Sequence, residues 1–491
     1  MNAPAVNPSA LIPAALTPAT AGTGTMMTLQ QAAVVLGAAA CAQDTAFSRV
    51  TTDSRTIHAG DLFVALSGER FDGHDFARAA LEQGAAGVLV SRDLGLPGQI
   101  MVPDTRAGLA QLAQHWRAQF TLPLIAVTGS NGKTTVKQMI ASILAAHVLG
   151  AAGGTGAAAG DAAFATAGNL NNEIGVPLTL LRLRAQHAIG VVELGMNHPG
   201  EIALLAGITR PTVALVNNAQ REHQEFMKSV ADVAAENGSV FDHLFADGTA
   251  VINADDEFAG FWRQLARRSN AQRRIIDFGV RIAADVSANY HLALYGSDLE
   301  LMTPVGNAEV ILRIPGAHNV LNACAAAACA VAAGVRIKAI EAGLNAFVPY
   351  RGRLQKKVAA SGAVVIDDSY NANPDSVRAA IDVLANLAGR RMLVLGRMAE
   401  VGDQGAQFHH EVGSYARERG IDVLLGFGPE TAPAIAGFGA GGMRFDDIDV
   451  IKAKAGEFAV AGATLLIKGS RSARMERVVA ALTGETAGGE H

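Results

Sequence analysis

Leu124-Ile125-Ala126-Val127 runs straight into Thr128-Gly129-Ser130-Asn131-Gly132-Lys133-Thr134-Thr135, after which Val136, Ile140, Ile143 and Leu144 recur on one helical face. A short apolar strand, a glycine-containing turn and a helix in that order make a phosphate loop. Gly129 and Gly132 let the backbone turn its N–H groups inward, the helix N-terminus adds partial positive charge, Lys133 adds a full one, and Thr134 offers a hydroxyl to magnesium. Ser130, Asn131 and Thr135 complete the expected cradle. Five residues before Gly132 stands Val127 rather than glycine, so this is a short G-x-x-G-K-T form and not the usual Walker spacing. A lysine-containing turn in a glycine-rich chain is the bland alternative; the strand before and the helix after favour nucleotide binding.

Around this loop, apolar strands at 189–194, 213–216 and 250–252 alternate with alanine-rich helices, which predicts a doubly wound, mostly parallel sheet. A magnesium ion on two phosphates needs further hard oxygen ligands from neighbouring strand ends. Glu193 closes the apolar run 189–192 and is the candidate, with a solvated strand-end acid as the alternative. His223 follows another strand, although a lone loop histidine is more often not a ligand. The stretch 150–160, nearly all Ala and Gly, reads as an inserted loop. After Pro349 a second alternation, with strands at 364–367, 392–396, 423–426 and 465–467, predicts another open α/β sheet. Asn373-Pro374 signposts a helix whose apolar face carries Val377, Ile381, Leu384 and Leu387. The loop before it lies at a strand's carboxyl end, where ligands of such sheets sit. Upstream, 26–118 carries short strands with glycine-rich turns, and a boundary falls near 119.

The whole chain has 491 residues, enough for roughly three domains. Half is hydrophobic and 17% charged, which excludes general disorder; the net charge of -5 excludes a nucleic-acid coat or polybasic membrane anchor. Cys41, Cys324 and Cys329 are too few and irregular for a disulfide framework or a four-cysteine zinc site, which fits a reducing cytoplasm. The stretch 323–335 is too short and alanine-rich to span a bilayer, the N-terminal residues lack the basic region of a secretory signal, and 1–25 reads as a loose tail.

Several segments together resemble the Mur ligases of peptidoglycan precursor synthesis. They are 128–135, Gly-Asn-Leu-Asn-Asn-Glu-Ile-Gly-Val-Pro at 168–177, Glu-Leu-Gly-Met-Asn at 193–197, Gly-Ala-His-Asn-Val-Leu-Asn-Ala at 316–323, Gly-Arg-Leu at 352–354 and Asp-Ser-Tyr-Asn-Ala-Asn-Pro at 368–374. Within the family, Asn-Leu-Asn-Asn-Glu and Tyr-Asn-Ala-Asn-Pro look like the member that adds D-alanyl-D-alanine to UDP-N-acetylmuramoyl-tripeptide, using ATP and Mg2+ through an acyl phosphate. The resemblance implies three domains: a small α/β UDP-sugar domain at 26–118, a central phosphate-loop domain at 119–348 and a Rossmann-like ligase domain at 349–491. It gives Lys133 to the phosphates; Thr134, Glu193 and His223 to magnesium; Asn319 and Asn322 to the adenine side; Arg353 to the terminal phosphate; and Asp368 to the ribose. Lys133, Arg353 and His223 form the catalytic set. Ser54, Arg55, Asn169, Asn172, Asn371 and Asn373 are the substrate-facing candidates, with 67–70, Arg397 and 468–471 beside them. As isolated residues, Arg353 would be a surface arginine and His318-Asn319 a helix cap.

One position departs. Many family members carry a carbamylated lysine four residues before an aromatic; here Asn237 precedes Phe241. That puts a second magnesium in doubt and leaves the Asn237 amide oxygen as a ligand for water or metal. Partners are expected to be the two substrates alone, with no nucleic acid, no membrane insertion and a monomeric chain. Sister ligases, a folylpolyglutamate-synthetase-like ligase and a non-catalytic nucleotide-binding module stand as alternatives.

Overall fold

The computed structural model describes residues 24–41, 43–68, 71–151 and 162–485. The tail to residue 23, Glu69-Arg70 and 152–160 of the Ala/Gly stretch lie outside the described residues. The chain divides into two compact units, Met1–Phe120 and Thr121–His491. In the first, a parallel sheet runs Arg49–Thr51, Asp61–Val64, Gly87–Val90, Gln99–Met101 in spatial order, with Thr105–Arg117 the longest helix.

The second unit holds two six-stranded sheets. One is wholly parallel, ordered Ile275–Phe278, Thr249–Asn253, Val213–Val216, Leu124–Thr128, Ile189–Glu193, Ala163–Ala165. The four central strands are mostly apolar and buried along their whole length, as a sheet covered by helices requires, while the two edge strands are partly exposed. Helix Lys133–Ala151 packs on it through Val136, Ile140, Ile143 and Leu144, all fully buried. Each such side chain contributes about 1.5–3 kcal/mol of burial. Helices Ala317–Ala332 and Ile337–Ala346 lie against that helix. The alanine-rich stretch 323–335 is thus mostly a buried helix, its small side chains allowing close approach. The strand Leu124–Thr128 has neighbours reached from opposite directions, so the crevice beyond its carboxyl end is the topological switch point where ligands bind.

The other sheet is ordered Gln355–Val358, Val364–Asp368, Ala463–Lys468, Arg390–Gly396, Val423–Phe427, Gly442–Phe445, with only the first pair antiparallel. Two findings differ from the sequence reading. Gly150 and Ala151, placed in a loop, finish the long helix. A three-stranded antiparallel sheet, Ser287–Ala293, Gly296–Thr303 and Gly306–Leu312, occupies a region where no strand is expected from sequence. It buries alternate residues such as Leu299, Leu301, Val310 and Leu312.

Candidate active site

Strand ends from both sheets of the second unit line a cleft of about 290 Å³. The first sheet supplies Ser130 to Thr134, Asn169, Asn172, Glu193 and His223; the second supplies Asn371, Asn373 and Lys468, with Arg353 from the preceding loop. A neighbouring pocket of about 210 Å³ is lined by Gly132, Thr135, Asn319, Asn322, Arg353 and Asp368. Most of the sequence-derived candidates therefore converge, although from 130 to 373 they span much of the chain.

Within the phosphate loop both glycines take positive φ, 128° at Gly129 and 82° at Gly132, where a side chain would be strained. The N–H groups of Gly129, Ser130 and Asn131, expected to face phosphate, are instead turned to protein acceptors. They donate to Asn237 Oδ1 (2.9 Å), Asn218 O (3.0 Å) and Asn218 Oδ1 (2.8 Å). The N–H groups of 132–135, which open the helix without acceptors inside it, are the ones left available to an anion. The expectation for Asn237 changes as well. Its amide oxygen also accepts from Thr128 Oγ1 at 2.6 Å and its nitrogen donates to Val233 O, so it clamps the loop and has no role left for a metal. Replacing Asn237 by Ala strands two buried donors, a loss of about 1–3 kcal/mol. We expect nucleotide affinity to fall roughly tenfold; equal calorimetric isotherms for Asn237→Ala and the parent would refute the clamp.

Lys133 Nζ donates to the carbonyls of Gly129 and Ser130 (3.1 Å) and lies 3.4 Å from Glu222 Oε2. Thr134 Oγ1 and Asn171 Nδ2 both donate to Glu193 Oε1, at 3.1 and 2.9 Å. The other oxygen, Glu193 Oε2, is buried with no hydrogen-bond donor, and Lys137 Nζ stands 4.0 Å away. Among the described residues no three His, Cys, Asp or Glu side chains cluster to hold a metal. A magnesium ion shared with phosphates needs only one or two carboxylates, and Glu193 with Thr134 fits that donor set. His223 Nδ1 makes an ion-pair contact with Glu400 Oε2 at 2.6 Å, without hydrogen-bond alignment, which holds the Glu400 carboxyl below its usual range. His223 sits at φ 49° and Glu400 at φ 59°, left-handed backbone that non-glycine residues adopt at a cost.

In the neighbouring pocket, Asn319 Nδ2 donates to Pro315 O, Asn322 Nδ2 to Asn319 Oδ1, and Asn217 Nδ2 to Asn322 Oδ1. This chain of amides ties the pocket wall to the phosphate loop. Asp368 is more committed than a free ribose acceptor: it takes Leu354 N–H (3.1 Å) and the buried Lys468 ammonium. Burial pushes Lys468 down despite that partner. His318, on the same wall, is pushed by burial down to about 4. The fold keeps it neutral while the unfolded chain protonates below about pH 6.5. The unfolded state therefore gains the extra proton as pH falls through that window, and stability present at neutral pH is lost toward pH 4. Because the ring borders an open pocket the effect is about 1–2 kcal/mol. His318→Asn should flatten the fall in chemical-denaturation stability between about pH 7 and pH 5; an unchanged slope would remove this assignment.

Arg353 Nη2 donates to Thr134 Oγ1 at 3.3 Å and its guanidinium stacks 4.0 Å from the Tyr370 ring centroid. Its Nε is buried without an acceptor. Some substrate candidates have other duties. Asn373 caps helix Pro374–Ala385 and pairs with Asn131, and Asn172 Oδ1 accepts from the N–H groups of Ile174 and Gly175. Asn371 gives its carbonyl to Lys468. Arg397 pairs with Ser472 and Glu430, and Arg471 with Glu476. Ser54 and Arg55 form a turn of the first unit, where Asp53 caps the turn and binds the Arg55 guanidinium on both arms.

Three Mur ligase family models match the chain: the catalytic-domain model at 46–117, the middle domain at 127–330 and the glutamate ligase domain at 352–471. The UDP-N-acetylmuramoyl-tripeptide--D-alanyl-D-alanine ligase of Escherichia coli (strain K12) is 42% identical over 93% of this chain and 98% of its own. The chain belongs to the Mur ligase family. A crystal structure of MurF from Acinetobacter baumannii matches this Mur ligase with a TM-score of 0.83 at 34% identity, covering 93% of this chain and 98% of that one. MurF from Thermotoga maritima in complex with ADP matches at 0.75 and 26%, covering 89% and 97%.

Sequence reasoning missed several residues of this Mur ligase site. Lys137 is fully buried and reaches Glu193 and Thr166 O; its spacing of four from Lys133 on one helix was the available signal. Asn171 sits inside a quoted run. Arg221, bound by both Asp375 and Glu411, had no local signal, since its partners lie 154 and 190 residues away. Glu222 adjoins His223 and went unremarked.

Proposed function

We propose that this Mur ligase joins D-alanyl-D-alanine to UDP-N-acetylmuramoyl-tripeptide at the expense of ATP, forming the pentapeptide precursor, ADP and phosphate in the cytoplasm. The relatives' names support the substrates. The observation that carries the chemistry is the contact of Arg353 with Thr134, which brings a planar cation to the end of the phosphate loop. A carboxylate is a poor electrophile, so its oxygen is first phosphorylated; the dipeptide amine then attacks the acyl phosphate and phosphate leaves. Lys133 and Arg353 neutralise charge on the transferring group, and the cleft aligns the acyl phosphate with the incoming amine. Magnesium, when bound, would screen phosphate charge, held by Thr134 and Glu193 with His223 nearby. Domains at 26–118, 119–348 and 349–491 divide UDP-sugar, nucleotide and dipeptide recognition in this reading. The test is a panel in which ATP, Mg2+ and UDP-muramoyl di- or tripeptides meet candidate amines and products are identified by mass. Pentapeptide formation dependent on D-alanyl-D-alanine is expected; nucleotide binding with no joined product would overturn the reading.

A further inference from the structure

Two carboxylate oxygens at the cleft are buried without a hydrogen-bond donor, Glu193 Oε2 and Glu222 Oε1. The first belongs to the cation position beside Thr134. Glu222 has no assigned part, yet its side chain is only 7% exposed. Its other oxygen, Oε2, has Lys133 Nζ at 3.4 Å and His223 Nε2 at 3.7 Å. Stripping a carboxylate of water is costly unless its charge is balanced. Without nucleotide, Lys133 supplies that balance at long range. When a triphosphate occupies the loop, Lys133 is drawn to phosphate oxygens, and Glu222 is left facing an incoming polyanion. The two anions share the cleft at low cost only with a cation between them.

The donors for such a cation are in place. Glu222 presents a hard oxygen, and His223 presents Nε2 toward it at 3.7 Å, with Glu400 Oε2 2.6 Å from its Nδ1. The loop carrying both is fixed before any ligand arrives: Gln220 N–H donates to Ser130 Oγ at 2.8 Å, and Arg221 is gripped by Asp375 and Glu411. We propose that Glu222 is a divalent-cation ligand of this cleft, acting with Nε2 of His223 when nucleotide is bound. The inference rests on the proposed nucleotide site but not on the identity of the amine or acid joined there.

Mn2+ binding to the full chain, saturated with the non-hydrolysable β,γ-methylene analogue of ATP, is to be followed by electron paramagnetic resonance. Glu222→Gln is expected to lose a Mn2+ or weaken its binding at least about tenfold, with Glu222→Asp intermediate and melting temperatures retained. Isotherms superimposable on the parent would overturn the proposal. So would a Glu222→Gln variant that binds the analogue more tightly with unchanged Mn2+ binding, since Glu222 would then be only the counter-ion of Lys133. Should the Gln variant not fold, equal Mn2+ binding by Glu222→Asp and the parent overturns it. A parent chain that binds no analogue removes the nucleotide reading and this inference together; one that makes pentapeptide while Glu222→Gln keeps its Mn2+ loses this inference alone.

Discussion

Lys133→Ala is expected to abolish measurable phosphoryl transfer, a fall of at least about a hundred- to a thousandfold, while the chain stays folded. The ammonium bonds only to two loop carbonyls and approaches Glu222, so its removal takes nothing from the apolar core beneath helix Lys133–Ala151. What disappears is the one full positive charge on the loop itself, which the proposed mechanism sets against the negative charge that accumulates as the phosphoryl group moves. Single-turnover phosphate release, together with a melting curve, checks both halves. Turnover near that of the parent would remove Lys133 from the mechanism.

The second large effect is expected from Arg353→Lys. Charge is conserved, but the planar fork that reaches Thr134 at 3.3 Å while lying on Tyr370 cannot be rebuilt by an ammonium. If Arg353 acts mainly in the transition state, kcat drops by about a hundredfold or more and KM for ATP moves little. A rise in KM at constant kcat would show that Arg353 only binds ground-state nucleotide. The buried Nε without an acceptor is consistent with a group whose partner arrives with substrate.

Contiguous chemistry was the most legible part of this chain. The strand, glycine turn and helix around 124–144 are local, so hydrophobic period and glycine placement identify them without knowledge of the rest. The same holds for Asn373-Pro374, whose capping role follows from two adjacent residues and is met by the bond from Ser376 N–H to Asn373 Oδ1. Residues 287–312 were harder although their strands have 7, 8 and 7 residues, because polar and charged residues stand among the apolar ones, so they lack the continuous apolar runs by which the buried parallel strands were identified.

What sequence could not supply is the filling of hydrogen-bond valences. Gly129 looks like a phosphate donor until Asn237, 108 residues on, takes its N–H. Asp368 looks like a free strand-end acid until Lys468, 100 residues on, pairs with it. By itself the sequence determined the kind of chemistry, a phosphate loop with a lysine, a hydroxyl and strand-end acids, because those groups are set by neighbours along the chain. Only the tertiary structure decided which of those groups remain available, because a buried donor or acceptor is satisfied by whatever the fold brings within about 3 Å, regardless of distance in sequence.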